Sequence, residues 1–172
     1  MGLEDCGLRD LPKMADARGN LSFIESGRHV PFEVQRVYYL YDVPGGTDRG
    51  AHAYRKLQHF IVALAGSFDV LLDDGAKSRR FKLSRAYFGL YVCPMIWRRL
   101  DNFSSGAVCM VLASEHYDPE DCIDEYEDFR RLLRPADPGA SPFEAETGGW
   151  SNFGPQCDKA LVSDGSLRPS KK

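Results

Sequence analysis

Apolar and polar positions along this chain alternate in short runs that keep meeting glycine, proline or paired acids, and only one stretch repeats at helical spacing. The clearest run is Phe32 to Val43, FEVQRVYYLYDV, which is β-branched and aromatic with no internal glycine and so predicts a strand. Alternation sets Val34, Arg36, Tyr38 and Leu40 on one face and Val37, Tyr39 and Tyr41 on the other. Pro44-Gly45-Gly46 closes the run with turn chemistry. Ahead of it, Leu21 to Glu25 is a strand candidate, and residues 1 to 19 read as a short leading strand or arm followed by a turn.

The stretch from Gly45 to Gly66, GGTDRGAHAYRKLQHFIVALAG, predicts a second strand after a glycine-rich approach and then an apolar third. His52 and Tyr54 lie two apart and therefore share a face, with Lys56 and Gln58 continuing the same phase. Further strands are expected at Ser67 to Leu72, Arg79 to Leu83, Tyr87 to Cys93 and Gly106 to Ala113, with a hairpin at Asp73-Asp74-Gly75 and a turn at Pro94 to Arg98. About seven to ten short strands without a helix between them imply an all-β sandwich, jelly roll or barrel. The mode changes after Tyr117. Asp118-Pro119-Glu120-Asp121 resembles a helix start, and Ile123, Tyr126, Phe129, Leu132 and Leu133 follow at helical spacing, with Arg130, Arg131 and Arg134 in the last turn. One domain is expected over 1–134. Residues 135–172, rich in Pro, Gly, Ser and Asp, are expected to be a mostly disordered tail in which Trp150 or Phe153 could dock.

Composition narrows the function classes. With 172 residues, 43% of them hydrophobic, the chain can bury the core of one domain. Its 22 basic and 25 acidic residues give a net charge of -3 and no polybasic block, which argues against a nucleic-acid or membrane-surface partner. No apolar run is long enough to span a bilayer and no signal peptide is apparent, so a cytoplasmic protein is expected. Five scattered cysteines without CxxC spacing are then expected to be free thiols.

The candidate chemistry centres on His52. Gly46, five residues, His52-Ala53-Tyr54, three residues, Gln58 and a later Gly66 reproduce the frame of the cupin metal signature, but Tyr and Gln stand at two ligand positions and Trp97 lies in the region where the last histidine is expected. A phenol and a neutral amide are poor ligands for a catalytic divalent ion, so a metal-free site is expected. Beyond this frame, the blocks RVYYLYDVPGG, RGAHAYRKLQ, GSFDVLLDDG and NFSSGAVC resemble the cupin-fold nucleotide-sugar 3,4-ketoisomerases that act on dTDP-4-keto-6-deoxyglucose, over roughly Leu11 to Leu133. The family block reads RGxHAHK. His52 matches its first histidine, and Tyr54 replaces the second.

The resemblance implies a jelly-roll cupin barrel with one C-terminal helix, no cofactor, a dTDP-linked keto-sugar substrate and a homodimer, with the N-terminal strand a candidate for exchange between subunits. Moving a ketone from C4 to C3 requires a base for the C3 proton, a stabilised enediolate and a proton returned to C4. An imidazole with a pKa near 6.5 suits the base and a phenol the oxyanion donor, so His52 is expected to be the base and Tyr54 the donor or shuttle. Arg36, Tyr38, Arg49, Lys56, Gln58, Trp97 and Arg98 are expected to bind substrate. His29, His59 and His116 carry no such block and read as surface or core residues. The alternative class is a nucleotide-sugar-binding cupin in which Tyr54 has removed the reaction, and an isomerase of altered substrate or stereochemistry stands between the two.

Overall fold

The computed structural model describes residues 2–134. Among them run β1 (Gly7–Asp10), β2 (Lys13–Asp16), β3 (Gly19–Ser22), β4 (Arg36–Leu40), β5 (Arg49–Tyr54), β6 (His59–Ala65), β7 (Phe68–Asp73), β8 (Ser78–Leu83), β9 (Phe88–Val92), β10 (Trp97–Asp101), β11 (Val108–Ala113), β12 (Cys122–Ile123) and one helix, α1 (Tyr126–Leu133). Two five-stranded sheets form, ordered β1-β9-β6-β11-β4 and β12-β5-β10-β7-β8, while β2 and β3 pair as a separate hairpin. Every pairing between named strands is antiparallel. This is the expected jelly-roll arrangement, built as two facing sheets.

Alternation explains why the sheets face each other. Phe68, Val70, Leu72 and Leu100 from one sheet and Ile61, Leu90, Cys109 and Val111 from the other are at most 1% exposed and belong to one apolar cluster. On β4 the inward set is Tyr38 and Leu40, while Val37 and Tyr39 stand exposed on the outer face, as the alternation predicts. The predicted strand over Phe32 to Val43 is trimmed to five residues. Asp42, at φ 53°, leaves the extended region just beyond its end.

The helix is shorter than its sequence pattern suggests. Asp118 caps a 3-10 turn, Pro119–Asp121, by accepting from the Glu120 backbone N–H at 2.9 Å. The chain then pairs with β5, Cys122 opposite Tyr54 and Ile123 opposite Ala53, before α1 begins at Tyr126. Backbone pairing to an open sheet edge has overridden the helical periodicity here. Phe129 still docks as the spacing predicts. It is fully buried with Ala53, Trp97 and Ile123 on the outer face of the second sheet, a burial that stabilises the domain by about 1.5–3 kcal/mol. Leu132 and Leu133 stay exposed.

Cys6, Cys93 and Cys109 are buried free thiols, whereas Cys122 is disulfide-bonded, contrary to the expectation of free thiols throughout. The tail, with Trp150 and Phe153, lies outside the described residues. No helix among the described residues is long and apolar enough to cross a membrane.

Candidate active site

The interior is not apolar throughout. On β5, Arg98 pairs with His52 while Leu100 pairs with Arg49, so β5 uses one more residue than β10 between the two pairs. Gly50 takes up this bulge at φ +66°, a conformation that side chains resist, and the strand resumes with His52 and Tyr54 both turned inward. His52 is 2% exposed and Tyr54 5%. The strand stops at Tyr54 because Asp121 seizes the following turn. Its carboxylate accepts from the backbone N–H groups of Lys56 at 2.9 Å and Leu57 at 3.1 Å, and its carbonyl from that of Arg55 at 2.9 Å.

Around His52 and Tyr54 the two sheets bring further polar side chains. The Arg98 guanidinium donates from Nη2 to the Tyr38 hydroxyl at 3.1 Å and contacts His52 Nε2 at 3.0 Å. A guanidinium has no acceptor, so His52 Nε2 must accept and Nδ1 carries the ring proton. That Nδ1–H is buried and meets no protein acceptor. The Tyr54 ring lies between two imidazoles, 4.9 Å from the His52 ring and 5.0 Å from that of His59, with the Arg98 guanidinium 5.7 Å from its centroid. Arg36 stacks between Tyr38 and Tyr117, at 5.2 and 5.3 Å. A narrow cavity of about 30 Å³ opens beside His52 and is lined by Tyr38, Arg49, Arg98 and Leu100 among others.

Electrostatics makes both imidazoles neutral. Burial, then the Arg98 charge, holds His52 well below the ordinary histidine range. Burial also dominates at His59, followed by Arg98, His52 and Arg36. A neutral His52 whose lone pair already accepts from Arg98 is a better donor than base, so the geometry turns the expected division of labour around.

Three expected site residues stand elsewhere. Lys56 is exposed in the turn that Asp121 holds, outside the phase set by His52 and Tyr54. Gln58 accepts from the Tyr91 hydroxyl at 2.7 Å, and Tyr91 packs against Phe32 and Arg9 rather than against the polar cluster. Trp97 is buried beneath the helix, 5.1 Å from the Tyr126 ring and 5.7 Å from Phe129, because it alternates with Arg98 on β10 and takes the opposite face. His59 is the residue missed. It opens β6 in the inward phase of Ile61 and Ala63, a pattern legible in HFIVALA, though a histidine ahead of an apolar run reads first as core. Among the described residues, no three His, Cys, Asp or Glu side chains are grouped to hold a metal ion.

Residues 4–134 match the family described as FdtA: WxcM-like, C-terminal. The chain belongs to this family. It is 43% identical over 121 residues, 70% of its length and 87% of the relative's, to the TDP-4-oxo-6-deoxy-alpha-D-glucose-3,4-oxoisomerase of Aneurinibacillus thermoaerophilus. Among solved structures it resembles the TDP-quinovose 3,4-ketoisomerase of Campylobacter jejuni, at 39% identity and a TM-score of 0.72, over 75% of this chain and 99% of that one. It also resembles a 3,4-ketoisomerase from Thermoanaerobacterium thermosaccharolyticum in complex with TDP-4-keto-6-deoxyglucose, at 33% identity and a TM-score of 0.75, over 76% and 95% of the two chains. In this FdtA-family chain the polar cluster of β4, β5, β6 and β10 falls wholly within the matched span.

Proposed function

We propose that this protein is a sugar-nucleotide 3,4-ketoisomerase that converts a TDP-linked 4-keto-6-deoxyglucose into its 3-keto isomer through an enediolate, with no cofactor, in the making of a modified deoxysugar. The observation that carries the reading is the buried group of His52, Tyr54, Arg98 and Tyr38, which assembles donors and a proton carrier in one place within a family whose relatives bear that activity. An oxyanion growing on the C4 oxygen meets the Arg98 guanidinium and the unused His52 Nδ1–H. Such fixed donors act most strongly where water is excluded. Tyr54 carries the proton between C3 and C4. Arg49, at the exposed start of β5, and Arg36 supply positive charge for the diphosphate.

The same reading includes a cytoplasmic homodimer. Val37, Tyr39, Tyr41 and Leu64 are all at least 47% exposed. Beside them an apolar groove of about 680 Å³ is lined by Phe23, Ile24, Val62 and Met110 and by Lys13 of the exposed β2–β3 hairpin. Exposed apolar surface of this extent is what an isologous interface covers, and the hairpin is placed to reach across it.

Incubation with TDP-4-keto-6-deoxyglucose and chromatography of the products tests the activity. A 3-keto product that disappears in the His52→Asn variant supports the reading. Tight binding of the nucleotide sugar without any product makes the chain a binding protein instead.

A further inference from the structure

The environment of His59 goes beyond the cluster's expected members. Its side chain is buried, its Nε2 has no hydrogen-bond partner, and no packing argument requires an imidazole between Tyr54, Tyr38 and Ala113. An unpartnered polar atom in such a place costs about 1–3 kcal/mol. Of the two imidazoles that flank Tyr54, His52 has its lone pair engaged by Arg98, which leaves His59 with the unengaged nitrogen.

We propose that His59 is the positioning residue that makes Tyr54 a proton carrier. The Tyr54 hydroxyl passes its proton to the His59 ring as its oxygen takes the proton from C3 of the sugar. This assignment rests on the ketoisomerase reading above and deepens it.

The step balances without an outside reagent. The C3–H bond breaks and its electron pair forms the C3=C4 bond, while the C4 carbonyl pair moves onto its oxygen. The C3 hydroxyl proton then passes to the C4 oxygen, the C3 carbonyl forms, and C4 takes a proton from Tyr54, which recovers its own from His59. C3 is oxidised and C4 reduced by the same pair of electrons. The ring centroids, 5.0 Å apart, leave hydroxyl and ring nitrogen close enough to meet on a small side-chain rotation, and catalytic hydrogen bonds commonly tighten only when substrate is bound. Arg98 and Arg36, which disfavour a lasting imidazolium at His59, favour the negative oxygen of Tyr54 and of the enediolate. The imidazolium is therefore transient.

Two backgrounds test the assignment. His59→Gln is made in the unaltered protein and in Tyr54→His, where a histidine at residue 54 carries its own proton. With Tyr54 present, His59→Gln is expected to lower kcat by about 10²-fold or more, to leave KM within about twofold and to shift the kcat–pH profile. In the Tyr54→His background the loss is expected to shrink by at least about tenfold. Equal losses in both backgrounds, or an unchanged kcat in the first, overturn the role of His59 and leave the ketoisomerase reading standing. Absence of turnover in both the unaltered protein and Tyr54→His overturns the reading itself and the relay with it.

Discussion

Phe68, Val70, Leu72 and Leu90 in one region of the intersheet space are as deeply buried as His52 and His59 in another, yet the two regions are held by different means. The first is filled by apolar side chains that make no demand beyond shape, and Phe68 stacks on Phe103 at 5.1 Å. The second buries cationic and polar groups and leaves ring nitrogens of both histidines unpartnered. A core optimised only for stability avoids such groups, because desolvation outweighs what the remaining contacts return. The comparison teaches where the domain holds itself together and where it gives up stability for chemistry.

The largest expected effect separates the two on activity. Tyr54→Phe removes one hydroxyl from the polar region and is expected to lower kcat by about 10²–10⁴-fold, with thermal unfolding close to that of the parent. Phe68→Ala does the reverse. It is expected to cost about 3–5 kcal/mol in urea unfolding, while the protein that remains folded keeps its KM.

A smaller effect comes from pH. Because the folded state holds His52 and His59 neutral, the unfolded chain binds more protons below the ordinary histidine pKa of about 6.5. Their contribution is complete above that pH and is lost as the pH falls, by about 1.4 kcal/mol per pH unit for each imidazole. Urea midpoints between neutral and mildly acidic pH measure the slope, and His59→Gln should lower it by one proton's worth. The smallest effect tests the boundary of the site. Tyr91→Phe removes the bond to Gln58 and is expected to cost about 0.5–1.5 kcal/mol in unfolding, with steady-state turnover close to that of the parent.

How far these regions were legible in the sequence follows from the range of the forces involved. Alternation is local, so the inward set of β4, the pairing of His52 with Tyr54 and the docking of Phe129 could be read directly. Lys56 and Gln58 could not, because β5 ends where Asp121, distant in sequence, binds the next backbone N–H groups and breaks the phase. Trp97 and Arg98 are neighbours on one strand, and only the placement of the helix decides which of them faces the interior. The helix start was misplaced for a related reason, since edge pairing of Cys122 and Ile123 with β5 competes with helical periodicity and wins. His59 was hidden because the feature that marks it, an imidazole beside the Tyr54 ring, forms only when β5 and β6 fold against each other.

The most direct test of the central claim, that the polar region is a site of proton transfer to and from sugar carbon, is incubation of TDP-4-keto-6-deoxyglucose with the protein in deuterium oxide, followed by mass spectrometry and proton NMR of the sugar. The account predicts deuterium on ring carbon alongside the 3-keto isomer, with both suppressed in Tyr54→Phe. A sugar that stays bound, unexchanged and unisomerised, or exchange that is undiminished in Tyr54→Phe, would contradict it.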